Sequence, residues 1–223
     1  MLFRSNDANA CLLAELWSGR LAGVRNAVLV AISEGIGTAI LAGGQLQSGY
    51  NGLAGEFGHL PIDPGGPVCG CGQRGCWETA GSSRAALRIY RELAPNKPPI
   101  DVSVLLSLAE SGDPAAVEAV SRQAHAIGRG LRLILAALSP ELILITGEIT
   151  SVWQRFGPII QAEMEASVLT GEPPRLATAG DAETARLRGA AAVLLQRHAS
   201  YHRSTHSPRM ERRVPSETFP ILN

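Results

Sequence analysis

The chain has 223 residues, of which 45% are hydrophobic, enough to bury a sizeable core. Its 20 basic and 20 acidic residues cancel, which argues against a nucleic-acid surface within it. Apolar runs at 27–32 and 142–145 are too short to cross a bilayer, and polar Ser5-Asn6-Asp7 interrupts any export signal, so the sequence reads as a cytoplasmic protein with no membrane partner.

Apolar residues at 8–17 fall at helical spacing behind Asn6 or Asp7 as N-cap. Segment 26–32 (NAVLVAI) predicts a buried strand, broken by Ser33-Glu34-Gly35-Ile36-Gly37. Short strands at 38–41 and 45–47, around the Gly43-Gly44 turn, continue it as a meander. Segment 51–81 is rich in Gly and Pro without periodicity, which predicts a long ordered loop that something else must hold. Helices are expected at 82–93 and at 102–111 behind Asp101. A long helix starts at Asp113-Pro114, with Asp as N-cap and Pro in the first turn, and runs to about 138. Segment 141–146 (ELILIT) reads as a buried strand, followed by a helix at 151–167, a strand at 175–178 and a last helix at 182–198. This order predicts a three-layer α/β domain of the ribonuclease-H kind, with a disordered polar tail after about residue 200.

Cys69, Cys71 and Cys76 crowd into eight residues, and His59 upstream completes H-x9-C-x-C-x4-C inside the loop. Three thiolates and an imidazole form a closed tetrahedral set suited to structural zinc, with Gly70, Gly72 and Gly75 letting the backbone wrap closely. A disulfide or free thiols are the alternatives, and a disulfide leaves one of the three cysteines unpaired. Cys11, on an apolar helix face, reads as a small buried residue.

Leu53-Ala54-Gly55-Glu56-Phe57-Gly58-His59 and Cys69-Gly70-Cys71-Gly72-Gln73-Arg74-Gly75-Cys76-Trp77-Glu78 together resemble the signature of the ROK family of repressors and sugar kinases. The likeness continues in Asn6-Asp7-Ala8-Asn9-Ala10, Gly128-Arg129-Gly130 and Gly189-Ala190-Ala191. It implies an actin-like, hexokinase-like fold of two α/β lobes with a sugar in the cleft. It also implies that Asn6 hydrogen-bonds sugar hydroxyls and that Asp7 is the catalytic base that takes the hydroxyl proton. Glu56, His59 and Glu78 would bind ring hydroxyls, with His59 ligating zinc through its other nitrogen. Gly35, Gly37, Thr38 and Gly147 fall where the family binds nucleotide. Taken alone, Asp7 is a helix cap and the two glutamates are solvated loop acids.

Three departures matter. The Gly-rich DxGGT phosphate loop of the family is absent, which leads to the expectation of a truncated N-terminus: 1–24 as the remnant of a first lobe, 25–200 as the C-terminal lobe, 201–223 as tail. Ser33-Glu34 stands where kinases show Gly-Thr, and a carboxylate about 5 Å from a phosphate, at an effective dielectric of about 20, is repelled by about 3 kcal/mol per charge. Glu148 adds bulk and charge where kinases carry a second glycine. The resemblance with these departures implies the sugar-sensing effector domain of a carbohydrate repressor, homo-oligomeric and reaching DNA only through a helix-turn-helix absent from this sequence. The alternative is a glucokinase-like hexose kinase using ATP and magnesium, inactive as this chain; a remnant that does not fold alone is the third possibility.

Overall fold

The computed structural model describes residues 7–166 and 172–180, for Asp7 the backbone only. Asn6, the helix expected at 182–198 and the tail lie outside the described residues. The first helix, α1, is Asp7–Trp17. Three antiparallel strands follow: β1 Ala27–Ile32, β2 Ile36–Ala42 and β3 Gln45–Gln47. Beyond the long loop come a helical turn, α2 Glu78–Gly81, then α3 Ser83–Leu93, α4 Val102–Ser111 and α5 Pro114–Leu138. Strand β4 Leu142–Gly147, a 3-10 turn over Glu148–Val152, α6 Trp153–Glu165 and β5 Arg175–Thr178 complete the described chain.

The sheet order is β3-β2-β1-β4-β5, with β4 running parallel to β1 and β5 parallel to β4. Strand alternation sorts its side chains onto two cores. Val28, Val30, Ile32, Ile143 and Ile145 pack with Ile127, Leu131 and Ile134 of α5 and with Phe156 and Ile160 of α6. Ala27, Leu29, Leu41, Leu142 and Leu144 pack on the other face with Cys11 and Leu12 of α1. Helices on both faces make the three layers that the element order implied, and Cys11 is buried in the α1 layer as its apolar setting suggested.

Helix starts follow local chemistry. Asp101 and Asp113 cap α4 and α5 by accepting the amides of Val104 and Ala116 at 2.9 Å each. Ser82 caps α3 by accepting the amide of Ala85. The structure departs from expectation at three edges. Strand β2 begins at Ile36 rather than residue 38, because Ile36 and Gly37 pair with Ile32 and Ala31. Residues 78–81 are helical rather than loop. The helix expected from 151 is prefaced by the 3-10 turn, and α6 proper starts at Trp153. No helix among the described residues is long and apolar enough to cross a membrane.

Candidate functional site

The loop between β3 and α2 reaches the sheet through glycines. Gly55 sits at φ +92°, and a Cβ there would lie 2.6 Å from the Thr38 carbonyl oxygen; at Gly58 it would lie 2.2 Å from that of Ile36. Segment 55–59 therefore runs hard against β2, which fixes where Glu56 and His59 project. Thr38 is fully buried, and its hydroxyl donates to the Gly55 carbonyl, so this candidate nucleotide residue braces the loop.

Farther along, the loop folds back on itself. Trp77 N–H bonds the Leu60 carbonyl at 2.8 Å, Ile62 N–H bonds that of Gly75 at 2.9 Å, and Cys69 N–H bonds that of Gln73 at 2.7 Å. The fully buried Trp77 ring pins the loop to α5. Its Nε1 donates to the Ala126 carbonyl at 2.9 Å, and a Cβ on Gly130 would stand 1.9 Å from the indole.

These contacts gather His59, Cys69, Cys71 and Cys76, whose donor atoms all lie within 4.8 Å of one another. Cys71 Sγ is 3.6 Å from Cys76 Sγ, and Cys69 Sγ is 3.5 Å from His59 Nδ1. Bonds of about 2.3 Å to sulfur give a tetrahedral edge of about 3.8 Å, so the donor set fits zinc in both chemistry and spacing. As free thiols the three differ. Burial pushes Cys69 up to about 12 and raises Cys76, while exposed Cys71 is held below its ordinary value by the backbone N–H of Gln73.

The His59 imidazole is partly exposed and has a carboxylate near each ring nitrogen. His59 Nε2 lies 3.8 Å from Glu56 Oε2, and Glu78 Oε1 lies 3.6 Å from Nδ1 and 2.9 Å from Cys69 Sγ. The two carboxylates thus flank the His59 ring, Glu56 on the Nε2 side and Glu78 on the Nδ1 side that it shares with Cys69, and both glutamates are partly exposed. Glu78 also reaches the sheet: a Cβ on Gly35 would lie 2.8 Å from Glu78 Oε2. Ile36, Ile32 and Gly147 share one register row, and Gly37, Ala31 and Thr146 the next. Gly35, Gly37 and Gly147 therefore lie together at the carboxyl ends of the parallel strands, where open α/β sheets place ligands. Gly147 has φ +112°, and a Cβ would collide with the Ile32 carbonyl at 1.7 Å.

Two charges acquire partners that the sequence did not disclose. Glu34 was expected to face phosphates uncompensated, yet its carboxylate pairs with Arg84 at 2.9 Å. Glu148 accepts the Ser83 hydroxyl at 3.0 Å across the β4–α3 gap. Arg84 went unnoticed in the sequence because it lies 50 residues from Glu34. Asp7 opens α1 as expected; Asn6 and the Asp7 side chain lie outside the description.

The family model described as the ROK family matches residues 2–197. A glucokinase of Halalkalibacterium halodurans is 31% identical over 202 residues, covering 85% of this chain and 60% of the glucokinase. The xylose repressor of Bacillus subtilis is 32% identical over 148 residues, 66% of this chain and 38% of the repressor. A ROK family glucokinase from Streptomyces griseus, solved with glucose and AMPPNP, superposes with a TM-score of 0.76 at 27% identity, over 86% of this chain and 67% of that one. The chain thus spans 60% of the glucokinase and 38% of the repressor, less than two thirds of either curated relative.

Proposed function

The chain belongs to the ROK family, and on that premise we propose that it binds a hexose and serves as the sugar- and nucleotide-binding lobe of a hexose kinase. The observation that carries this reading is the placement of Glu56 and Glu78 on either side of the His59 imidazole, whose Nδ1 lies 3.5 Å from Cys69 Sγ. In this reading His59, Cys69, Cys71 and Cys76 hold a structural zinc ion. Zinc supplies no chemistry to the reaction; it fixes the His59 tautomer and orients the ring edge that meets the sugar. Glu56 and Glu78 accept neighbouring hydroxyls, which rewards one stereochemistry over its epimers because a lost partner leaves a charge unpaired. Asn6 adds a hydrogen bond to the sugar, and Asp7 takes the proton from the attacking hydroxyl. Gly35, Gly37 and Gly147 would hold the phosphates of ATP with magnesium, since the absence of side chains leaves room along that edge.

The Glu34–Arg84 pair supports the kinase over the sensor, because the carboxylate set against the phosphates brings its own counter-ion. The sensor reading, an effector domain of a repressor, is favoured by one observation: Ser33-Glu34 still replaces the small hydroxyl-bearing pair, and Glu148 remains beside Gly147. Calorimetry with a hexose panel, followed by a coupled assay with ATP and magnesium, separates the two. A kinase turns over at about 1–100 s⁻¹, whereas a sensor binds sugar without turnover. In either case Glu78→Ala weakens binding by about 1.5–3 kcal/mol. Failure of every hexose to bind contradicts both.

A further inference from the structure

A cavity of about 260 Å³ opens between the 67–70 turn, the β1–β2 turn and α3, and nothing in the proposed reaction uses all of its walls. Glu34, Cys69, Glu78, Arg84 and Arg88 line it. Arg84 and Arg88 are four residues apart, so they share one face of α3 on successive turns. Among the described residues, the ion pair given for Arg84 is with the exposed carboxylate of Glu34, a pair that water and salt screen heavily. Arg88 donates to the Thr79 carbonyl at 3.0 Å, while its buried Nε, 3.9 Å from Glu92 Oε1, has no hydrogen-bond acceptor among the described residues. A buried N–H without an acceptor is costly, and a guanidinium fork matches the oxygens of a phosphate. Glu78 belongs both to this cavity and to the His59 cluster, so whatever fills the cavity abuts the hydroxyl-binding set.

We propose that this cavity is a subsite for a phosphate carried by the sugar: a hexose phosphate places hydroxyls at Glu78 and its phosphate between Arg84 and Arg88. This rests on the hexose-binding reading above. The incoming phosphate competes with Glu34 for Arg84, and Glu34, exposed on its turn, swings into water. The protein then retains a phosphorylated sugar more tightly than the free one, which makes the phosphorylated form an inhibitor or signal at this site.

The test is calorimetry on the metal-loaded full chain with glucose, glucose 6-phosphate, mannose, mannose 6-phosphate and ADP. At least one phosphorylated sugar should bind about tenfold more tightly than its parent, and Arg84→Gln and Arg88→Gln should each remove about that factor with the parent's affinity unchanged. Arg88→Lys, which keeps the charge, should retain part of the gain. Glu34→Gln should strengthen the phosphorylated ligand by freeing Arg84, a change of sign that a purely structural pair does not produce. Parents that bind with no gain from phosphate overturn the subsite and leave the hexose reading standing. Arginine-dependent binding of sugar phosphates with silent parents supports the subsite and counts against the hydroxyl grip. Arginine-dependent binding of ADP but not of sugar phosphates overturns the proposal by assigning the cavity to the nucleotide, and silence of all five ligands overturns it as well.

Discussion

The sheet with its helices and the loop at 48–77 are held together by different forces. In the former, strands β1 and β4 are buried at every residue but Ala31 and Gly147, and Val30, Ile143 and Ile145 pack in one aliphatic cluster with α5. The loop exposes much of its apolar surface, with Tyr50, Leu53, Leu60 and Val68 all facing solvent. It keeps its shape through glycine contacts with β2, the Trp77 anchor on α5 and four donor atoms within 4.8 Å. The residues proposed to meet a sugar thus sit beside a loop that exposes much of its apolar surface. In the proposed reading, a metal ion would set the recognition surface while the sheet supplies a rigid floor.

The largest effect should come where the two regions meet. Gly130→Leu forces side-chain atoms into the space of the Trp77 ring, and neither helix α5 nor the buried indole has room to yield. Its cost should match or exceed the about 3–5 kcal/mol of deleting the ring itself by Trp77→Ala. Denaturant unfolding measures both, and a loss under about 1 kcal/mol for either variant, the range of unremarkable surface changes, breaks the idea of a single anchor.

Metal removal tests the division more selectively. Chelation, or Cys76→Ser, should make the 60–76 segment cleavable by protease while the sheet and helices still melt cooperatively. Loss of both together, seen by calorimetry with limited proteolysis, shows that the loop and the body form one unit. Within the body, Ile145→Val should cost about 0.5–1.5 kcal/mol and leave hexose affinity unchanged. A matching loss of affinity shows instead that the floor and the site are coupled.

The smallest effect concerns acid. The Val104 N–H, helped by the Ser103 hydroxyl, holds the Asp101 carboxyl below its ordinary value of 3.8. A depressed folded-state value means that this cap contributes above the unfolded value and loses its contribution as pH falls through the folded one. Asp101→Asn should therefore shallow the acid dependence of stability below about pH 4 and leave neutral pH almost untouched. An unchanged acid profile removes the cap from the account.

Local chemistry was legible in the sequence, and long-range pairing was not. The apolar run at 27–32, the Asp101 and Asp113 caps and the spacing of His59, Cys69, Cys71 and Cys76 depend on neighbours in the chain, so the residues alone disclose them. The Glu34–Arg84 pair, the Trp77–Gly130 contact and the Thr38 bond to Gly55 depend on how distant segments are brought together. Arg84 shows what this costs. Read from sequence, Glu34 was a bare repulsive charge; in the fold it has a counter-ion, and the balance between kinase and sensor shifts accordingly.

The central claim is that the Cys and His cluster organises His59, Glu56 and Glu78 into a sugar-binding surface. Titrating the preferred hexose into zinc-loaded and chelator-stripped protein, under conditions where the body remains folded, tests it directly. The account predicts binding to the loaded form and loss of at least about tenfold in affinity on stripping, recovered when zinc is returned. Equal affinity in the two forms contradicts it.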